Sequence, residues 1–446
     1  MGSPAAAGGE PSGLHQTLSQ LALEGQFSGA VVVRGSEGVR FARGYGAADP
    51  FTGLPFKPDT PVDSGSIAKP VTAAAVLLLE QEGKLDLDRL VRYYLPEYPH
   101  SNTTVRHLLA HSAGLALEES PEELAGKVNA ALIADVGGSP PLFPPGSAFT
   151  YCNLCYSTLA MLIERVSGVH YLDFVRRRVL LPPGVRLRPK RLADWRGRAV
   201  GHRRTKDGKL QRFDSWEGEA FYGSGNFSLS AKQLAQWGSE WWKRPLTAIR
   251  AEATAPAIIA GKRSGLSWGN WYCAPERSRC HYLGHHEGFH HMLYWDAKRR
   301  ISVAMVTNST LAPAVHQRLQ RALVAFAENR PAEARREIQQ GLPEREAPTG
   351  GFRLDAGEML AVKKSGSQVA VERRGLSYPA YPTGSPIRYV PGLDGYLAGD
   401  EEGRLHWITL YETVVAGSLG AASRAHRRQS LTNSDVCFPP ITDARR

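Results

Sequence analysis

The sequence predicts an α+β architecture of the α/β-sandwich kind: an antiparallel sheet flanked by helices, an inserted helical lobe, and a small C-terminal β domain. Three observations carry that expectation. Strand-like segments gather at both ends of the stretch from Leu14 to Ala327, with helix-like segments between them. From Gly351 the texture changes to short alternating segments set apart by turn signals. The chain has 446 residues, too many for one ordinary core. The expected organisation is a main domain over 14–330, a linker over 331–350, a small β-barrel or sandwich over 351–420 and a flexible tail over 421–446.

Leu14–Leu23 has apolar residues at helical spacing. Phe27–Arg34 and Val39–Gly44 run apolar or alternate and read as a strand hairpin. Ala47–Pro61 is punctuated by Pro50, Gly53, Pro55, Pro58 and Pro61 and reads as loop. Pro70–Glu80 reads as a buried helix, with Pro70 in its first turn. Leu85–Tyr94 is expected as a short helix ended by Pro96. Thr104–Leu115 opens with a helix capped by Thr103 or Thr104 and stops at Gly114. A good helix runs from about Leu154 to Gly168, which leaves Tyr151 and Asn153 in the loop that feeds it. Phe221–Leu229 is a glycine-containing turn, Ser230–Trp242 a capped helix, Tyr282–Asp296 a strand region, Ile301–Thr307 a strand and Val315–Ala327 an amphipathic helix.

Hydrophobic content of 42% and charged content of 22% are those of a soluble globular protein. No apolar run reaches membrane-spanning length. The net charge is +11, and much of the excess lies in Arg186–Arg212, with eleven Lys/Arg against Asp194 and Asp207. That stretch reads as a solvated basic surface, or as a patch that attracts an anionic substrate, cell-wall polymer or lipid. No nucleic-acid recognition motif accompanies it. Cys273 and Cys280 bracket a short polar loop and are expected to pair in an oxidising compartment. Cys152 and Cys155 have no second pair at metal-ligand spacing and read as neighbouring thiols. The N-terminus has no basic n-region and no apolar h-region, so no signal peptide is expected in it. The location is periplasmic or secreted if a signal peptide was removed, and otherwise cytoplasmic.

The chemistry gathers at Asp63–Lys69, DSGSIAK. Ser66 and Lys69 stand three apart, so a helix starting at or just after Ser66 stacks them on one face. A desolvated lysine beside a hydroxyl can take its proton and turn a weak alcohol into a nucleophile. A helix N-terminus there favours developing negative charge.

Four collinear stretches now resemble the serine hydrolases of the class C β-lactamase and penicillin-binding fold, from about Leu14 to Ala327. PFKPDTPVDSGSIAKPVTA is similar to that family's approach to the nucleophile helix. VRHLLAHSAGL resembles its "LLTHTSGL". FPPGSAFTYCNLCYSTLAMLIERVSG resembles its "PGxxFxYSNxGYxLLGxIIExVSG", with Cys152 where serine is usual. FYGSGNFSLSAKQLAQW is similar to its "GxGGLxSTxxDLxxW". The resemblance implies Ser66 as nucleophile, Lys69 as its partner, Tyr151 as the second member of the base pair and Asn153 as a residue that holds Lys69 and touches substrate. The family's third motif, Lys/His-Thr/x-Gly, is assigned to His286-Glu287-Gly288, since His285-His286-Glu287 lacks the glycine. The N–H groups of Ser66 and Phe289 would then form the oxyanion hole, and the family's "GxxPGF" loop looks shortened.

The implied activity is acyl-enzyme hydrolysis of an amide or ester, such as a D-amino-acid peptide, an ester or a β-lactam, with no cofactor and no metal. A histidine at the third motif tilts this toward peptidase, esterase or transacylase. The alternatives are a catalytically weak penicillin-binding or scaffold protein, and an acyltransferase of the same fold. The histidines at 281, 285, 286, 290 and 291 are not expected to bind metal, because strand neighbours point to opposite faces.

Overall fold

The computed structural model describes residues 12–416, apart from 116–128, 137–139, 181–185, 188–196, 205–208, 213–221, 226, 287, 310–312, 331–344, 355–357, 367, 383–387, 391–392, 394, 400–401 and 409–412. Residues 331–344 of the linker, residues 188–196 and 205–208 of the basic stretch, the tail over 421–446 and Cys437 lie outside the described residues.

The chain begins with α1 (Ser12–Leu23), β1 (Gly29–Gly35), β2 (Gly38–Tyr45), β3 (Ala47–Asp49), β4 (Leu54–Pro55) and β5 (Val62–Asp63). A single 3-10 turn at Gly65–Ile67 leads into α2 (Ala68–Gln81). The inserted lobe supplies α3 (Val91–Tyr94), α4 (Val105–Leu109), α5 (Asn129–Val136), α6 (Asn153–Ser167) and α7 (Tyr171–Val175). Then come β6 (Arg186–Leu187), β7 (His202–Arg204), β8 (Leu210–Arg212), β9 (Phe227–Leu229), α8 (Ala231–Glu240), α9 (Leu246–Ala253), β10 (Pro256–Ile259) and β11 (Lys262–Ser267). The segment closes with β12 (Tyr272–Cys273), β13 (Arg279–His286), β14 (Phe289–Asp296), β15 (Ile301–Thr307) and α10 (Pro313–Ala327).

The main sheet has the order β12-β13-β14-β15-β1-β2. Its two ends in sequence meet where β1 pairs antiparallel with β15, from Gly29 opposite Thr307 to Arg34 opposite Ser302. Alternation then sorts the side chains into two layers. Val31 and Val33 share a core with Leu14 and Leu18 of α1 and Leu319 and Leu323 of α10. Ala30 and Val32 face the other way, into the core that holds α2, α6 and α8. β14 obeys the same rule, with Met292 and Tyr294 in the first core and Leu293 and Trp295 in the second. α2 is buried almost all round, from Ala68 to Leu79, as its run of small residues and leucines requires. Beyond residue 345, eight further strands between Gly350 and Ala416 pair antiparallel in chain order.

Three local expectations need correction. Ala47–Pro61 contains β3 and β4. Of Leu85–Tyr94 only Val91–Tyr94 is helical. Leu85 and Leu87 are both buried, two apart as in extended chain, and Asp86 Oδ1 accepts from the Asp88 amide, a local bond that competes with helix. The helix after Thr104 has the expected cap, a capping box with His107, yet it ends at Leu109 instead of reaching Gly114. His111 takes a φ of 55°, which no helix accommodates.

Candidate active site

The Ser66 site is assembled from five elements. Asp63 Oδ1 accepts from the Gly65 amide at 2.9 Å, and Gly65 takes a φ of 47°, a left-handed conformation that suits glycine. This tight turn presents Ser66 half-buried at the head of α2. Lys69, one turn on, is wholly buried. Its ammonium donates to Ser66 Oγ at 3.1 Å, Asn153 Oδ1 at 2.5 Å and the Ser224 carbonyl at 3.2 Å. Tyr151 reaches Ser66 Oγ at 2.7 Å, and Lys69 Nζ lies 4.6 Å from the Tyr151 ring centre. The structure therefore brings Ser66, Lys69, Tyr151 and Asn153 together. Asn153 is the first residue of α6, not part of the loop before it.

Tyr151 is held from behind. His111 stacks on it at 5.0 Å and is itself fully buried between Tyr151 and Tyr156. Burial, reinforced by the charge of Lys69, holds the imidazole down to about 3. The neutral ring has a fixed tautomer. The Cys152 amide donates to Nδ1 at 3.0 Å, so the proton sits on Nε2 and points to Asn270 Oδ1 at 3.2 Å. Asn270 Nδ2 in turn donates to Tyr282 Oη at 3.2 Å, and Tyr282 Oη lies 3.5 Å from Tyr151 Oη. Burial pushes the Tyr282 phenol well above its ordinary range, with Tyr151 and Tyr272 adding to the effect. His111, Asn270, Tyr282 and Ser224 were not singled out from the sequence. His111 stood inside the quoted LLAHSAGL stretch, while Asn270 carries no local signal.

The strand facing Ser66 is β13, and at Gly284 it lies against the turn that carries Ser66. A Cβ there would lie 2.6 Å from Ile67 Cγ1 and 3.0 Å from the Ser64 carbonyl oxygen. His286 pairs with Phe289 across a two-residue turn. Gly288 sits in that turn with a φ of 76°, and Phe289 is buried on the neighbouring strand β14. Gly288 and Phe289 are thus not where a glycine on the facing strand and an oxyanion donor after it were expected.

Hydrogen-bond parity explains why. The amide of His290 and its carbonyl both meet Thr307 Oγ1, so residue 290 turns toward β15. Phe289 and His291 then turn toward β13, and their amides are taken up in the ladder. On β13 the amides of Leu283 and His285 point the opposite way. β12 pairs only as far as His281, so beyond it that edge of β13 has no strand partner among the described residues.

The histidine run divides between the two faces. His291 Nε2 contacts the Asp63 carbonyl oxygen at 2.6 Å, fastening β14 to the turn before Ser66. His285 packs on His290, which packs on His316 of α10. No group of three or more His, Cys, Asp and Glu among the described residues is arranged to hold a metal ion. Cys273 and Cys280, opposite one another on β12 and β13, form a disulfide. Cys152 and Cys155, read from the sequence as neighbouring thiols, form a second one. Their Cα atoms stand 5.4 Å apart in the first turn of α6, within the usual reach of a disulfide.

A family model described as Beta-lactamase matches residues 14–327. Penicillin-binding protein 4* of Bacillus subtilis (strain 168) is 30% identical over 194 residues, covering 40% of this chain and 43% of that protein. Esterase EstB of Burkholderia gladioli is 29% identical over 195 residues, covering 39% and 50%. The chain thus spans about half or less of the length of these curated relatives. The octameric penicillin-binding protein homologue from Pyrococcus abyssi superposes with a TM-score of 0.61 at 19% identity, covering 92% of this chain and 100% of that one. That likeness extends past the main sheet into the C-terminal strands.

Proposed function

The chain belongs to the beta-lactamase family, and from that premise we propose that it is a serine hydrolase working through an acyl-enzyme on Ser66. The observation that carries this reading is the convergence of Lys69 Nζ and Tyr151 Oη on one hydroxyl, at 3.1 and 2.7 Å. Either group, once deprotonated, can take the proton of Ser66 as its oxygen attacks an ester or amide carbonyl. The tetrahedral intermediate collapses when that proton passes to the leaving alcohol or amine. Water then attacks the acyl-enzyme by the same relay, releasing the acid and restoring Ser66. Asn153 holds the lysine in place through the 2.5 Å contact. This intact set favours catalysis over a scaffold role.

The oxyanion is proposed to rest between the amide of Ser66 and the amide of His285 on β13, next to the Gly284 that lies against Ile67. With this register GHHEGF, Gly284 to Phe289, has the length and the glycines of "GxxPGF", with Glu287 in place of the proline, and the third motif falls on Tyr282-Leu283-Gly284 in place of His286-Glu287-Gly288. The substrate class is an amide or ester, with D-amino-acid peptides, simple esters and β-lactams as the panel to try.

The test is steady-state hydrolysis of that panel by wild type, Ser66→Ala, Lys69→Ala and Tyr151→Phe. We expect Ser66→Ala to abolish turnover and the other two to lower kcat by about 100-fold or more with the fold intact. Turnover by Ser66→Ala at the wild-type rate would refute the reading.

A further inference from the structure

We propose that Tyr282 is a positioning residue for Tyr151: its hydroxyl donates to the Tyr151 oxygen and thereby sets the pH at which Ser66 becomes reactive. This inference rests on the serine-hydrolase reading above and deepens it.

The argument is one of donor polarity. The Cys152 amide can only donate, which fixes the His111 tautomer. His111 Nε2–H then donates to Asn270 Oδ1, leaving the Asn270 amide NH2 as donor to Tyr282 Oη. Tyr282 has received a hydrogen bond and has one proton to give. Its remaining hydrogen-bond neighbour is Tyr151 Oη at 3.5 Å. Every link therefore points its proton toward Tyr151, the atom that faces Ser66. At 3.5 Å the two oxygens stand wider than an ordinary O–H···O bond of about 2.5–3.0 Å, and such contacts tighten when the acceptor becomes negative. Burial keeps Tyr282 protonated, so it acts as a donor over the working range.

The surroundings leave this donor unreplaced. Tyr282 is 2% exposed, so water does not compete for its proton. It stacks on Tyr272 at 5.8 Å, and the Tyr151 ring meets Lys69, His111 and Ser66 on its other sides. Of these Lys69 is the cation, and among the described residues no second cation contacts the Tyr151 ring. A neutral phenol thus does the work of a charged partner on the strand side of Tyr151.

The experiment is the pH dependence of Ser66 labelling by a fluorophosphonate, with hydrolysis of a neutral p-nitrophenyl ester beside it. It compares wild type, Tyr282→Phe and protein carrying 3,5-difluorotyrosine at position 282, an isosteric and stronger donor. In Tyr282→Phe the acidic limb should move up by roughly one pH unit, a tenfold loss of rate below the limb that closes again above it. Difluorotyrosine should move the limb down. Limbs that stay put in both proteins, or a loss in Tyr282→Phe that is uniform across pH, would overturn the inference and leave the hydrolase reading standing. If Tyr282→Phe does not fold, the difluorotyrosine protein decides alone. Failure of wild-type Ser66 to react with either reagent would instead overturn the hydrolase reading, and this inference with it.

Discussion

Lys69 is a wholly buried side chain whose acceptors, Ser66, Asn153 and Ser224, are all neutral. The Ser-x-x-Lys spacing was legible because it needs only helical geometry; the Ser224 carbonyl was not, because it comes from 155 residues away. His111 shows the same limit, since a histidine in a helix-end segment gives no sign of being buried. Its folded-state value of about 3 lies below the ordinary value near 6.5. The unfolded chain therefore binds a proton that the folded one excludes, and stability is full above about pH 6.5 and declines as pH falls toward 3. The expected slope from this residue is about 1.4 kcal/mol per pH unit. His111→Phe should be less stable than wild type at pH 7 but show a shallower decline between pH 6 and 4 by urea unfolding. Equal slopes would contradict the burial account. His285 gives a second prediction at this scale. Its edge amide is the proposed oxyanion donor, so His285→Pro should lower kcat by about 100-fold while His285→Ala changes it little. Equal effects of the two substitutions would remove that donor.

Among the elements, the long periodic ones were readable: α1, α2, α6, α8, β1 and β15 stand within a few residues of their expected spans. The register of β13 was not readable. Five histidines between 281 and 291 drew attention to side-chain type, while the decisive facts are the two-residue turn and the hydrogen-bond parity of β14. A glycine marks the true site of contact, but at 284, where the strand must touch the turn carrying Ser66. Gly284→Val should force β13 off Ile67. We expect a cost of about 1–3 kcal/mol and a loss of activity larger than that of an equally destabilised variant elsewhere in the sheet. A Gly284→Val protein with wild-type stability and turnover would show that the contact is not needed.

At the scale of the whole molecule, the C-terminal strands pack directly on the beta-lactamase-family part. Tyr378 accepts from the Gly265 amide at 3.3 Å, and its ring lies 5.3 Å from Phe149, two residues before Tyr151. Lys262 donates to the Gly375 carbonyl, and Gln317 of α10 to that of Ile408. One hydrophobic core runs through both regions, from Ala30 to Trp407. The change of texture at Gly351 was visible in the sequence, but this docking was not, because it pairs residues 91 or more positions apart. Tyr378→Ala should cost about 3 kcal/mol and also reduce kcat, since Phe149 loses a neighbour on the Tyr151 side. Unchanged kcat would make the C-terminal strands bystanders to catalysis. The central claim remains the nucleophile. Its most direct measurement is mass mapping of the covalent adduct after reaction with a fluorophosphonate. The account predicts one modified residue, Ser66, with labelling strongly slowed in Lys69→Ala; an unmodified Ser66 peptide, or an adduct on another serine, would contradict it.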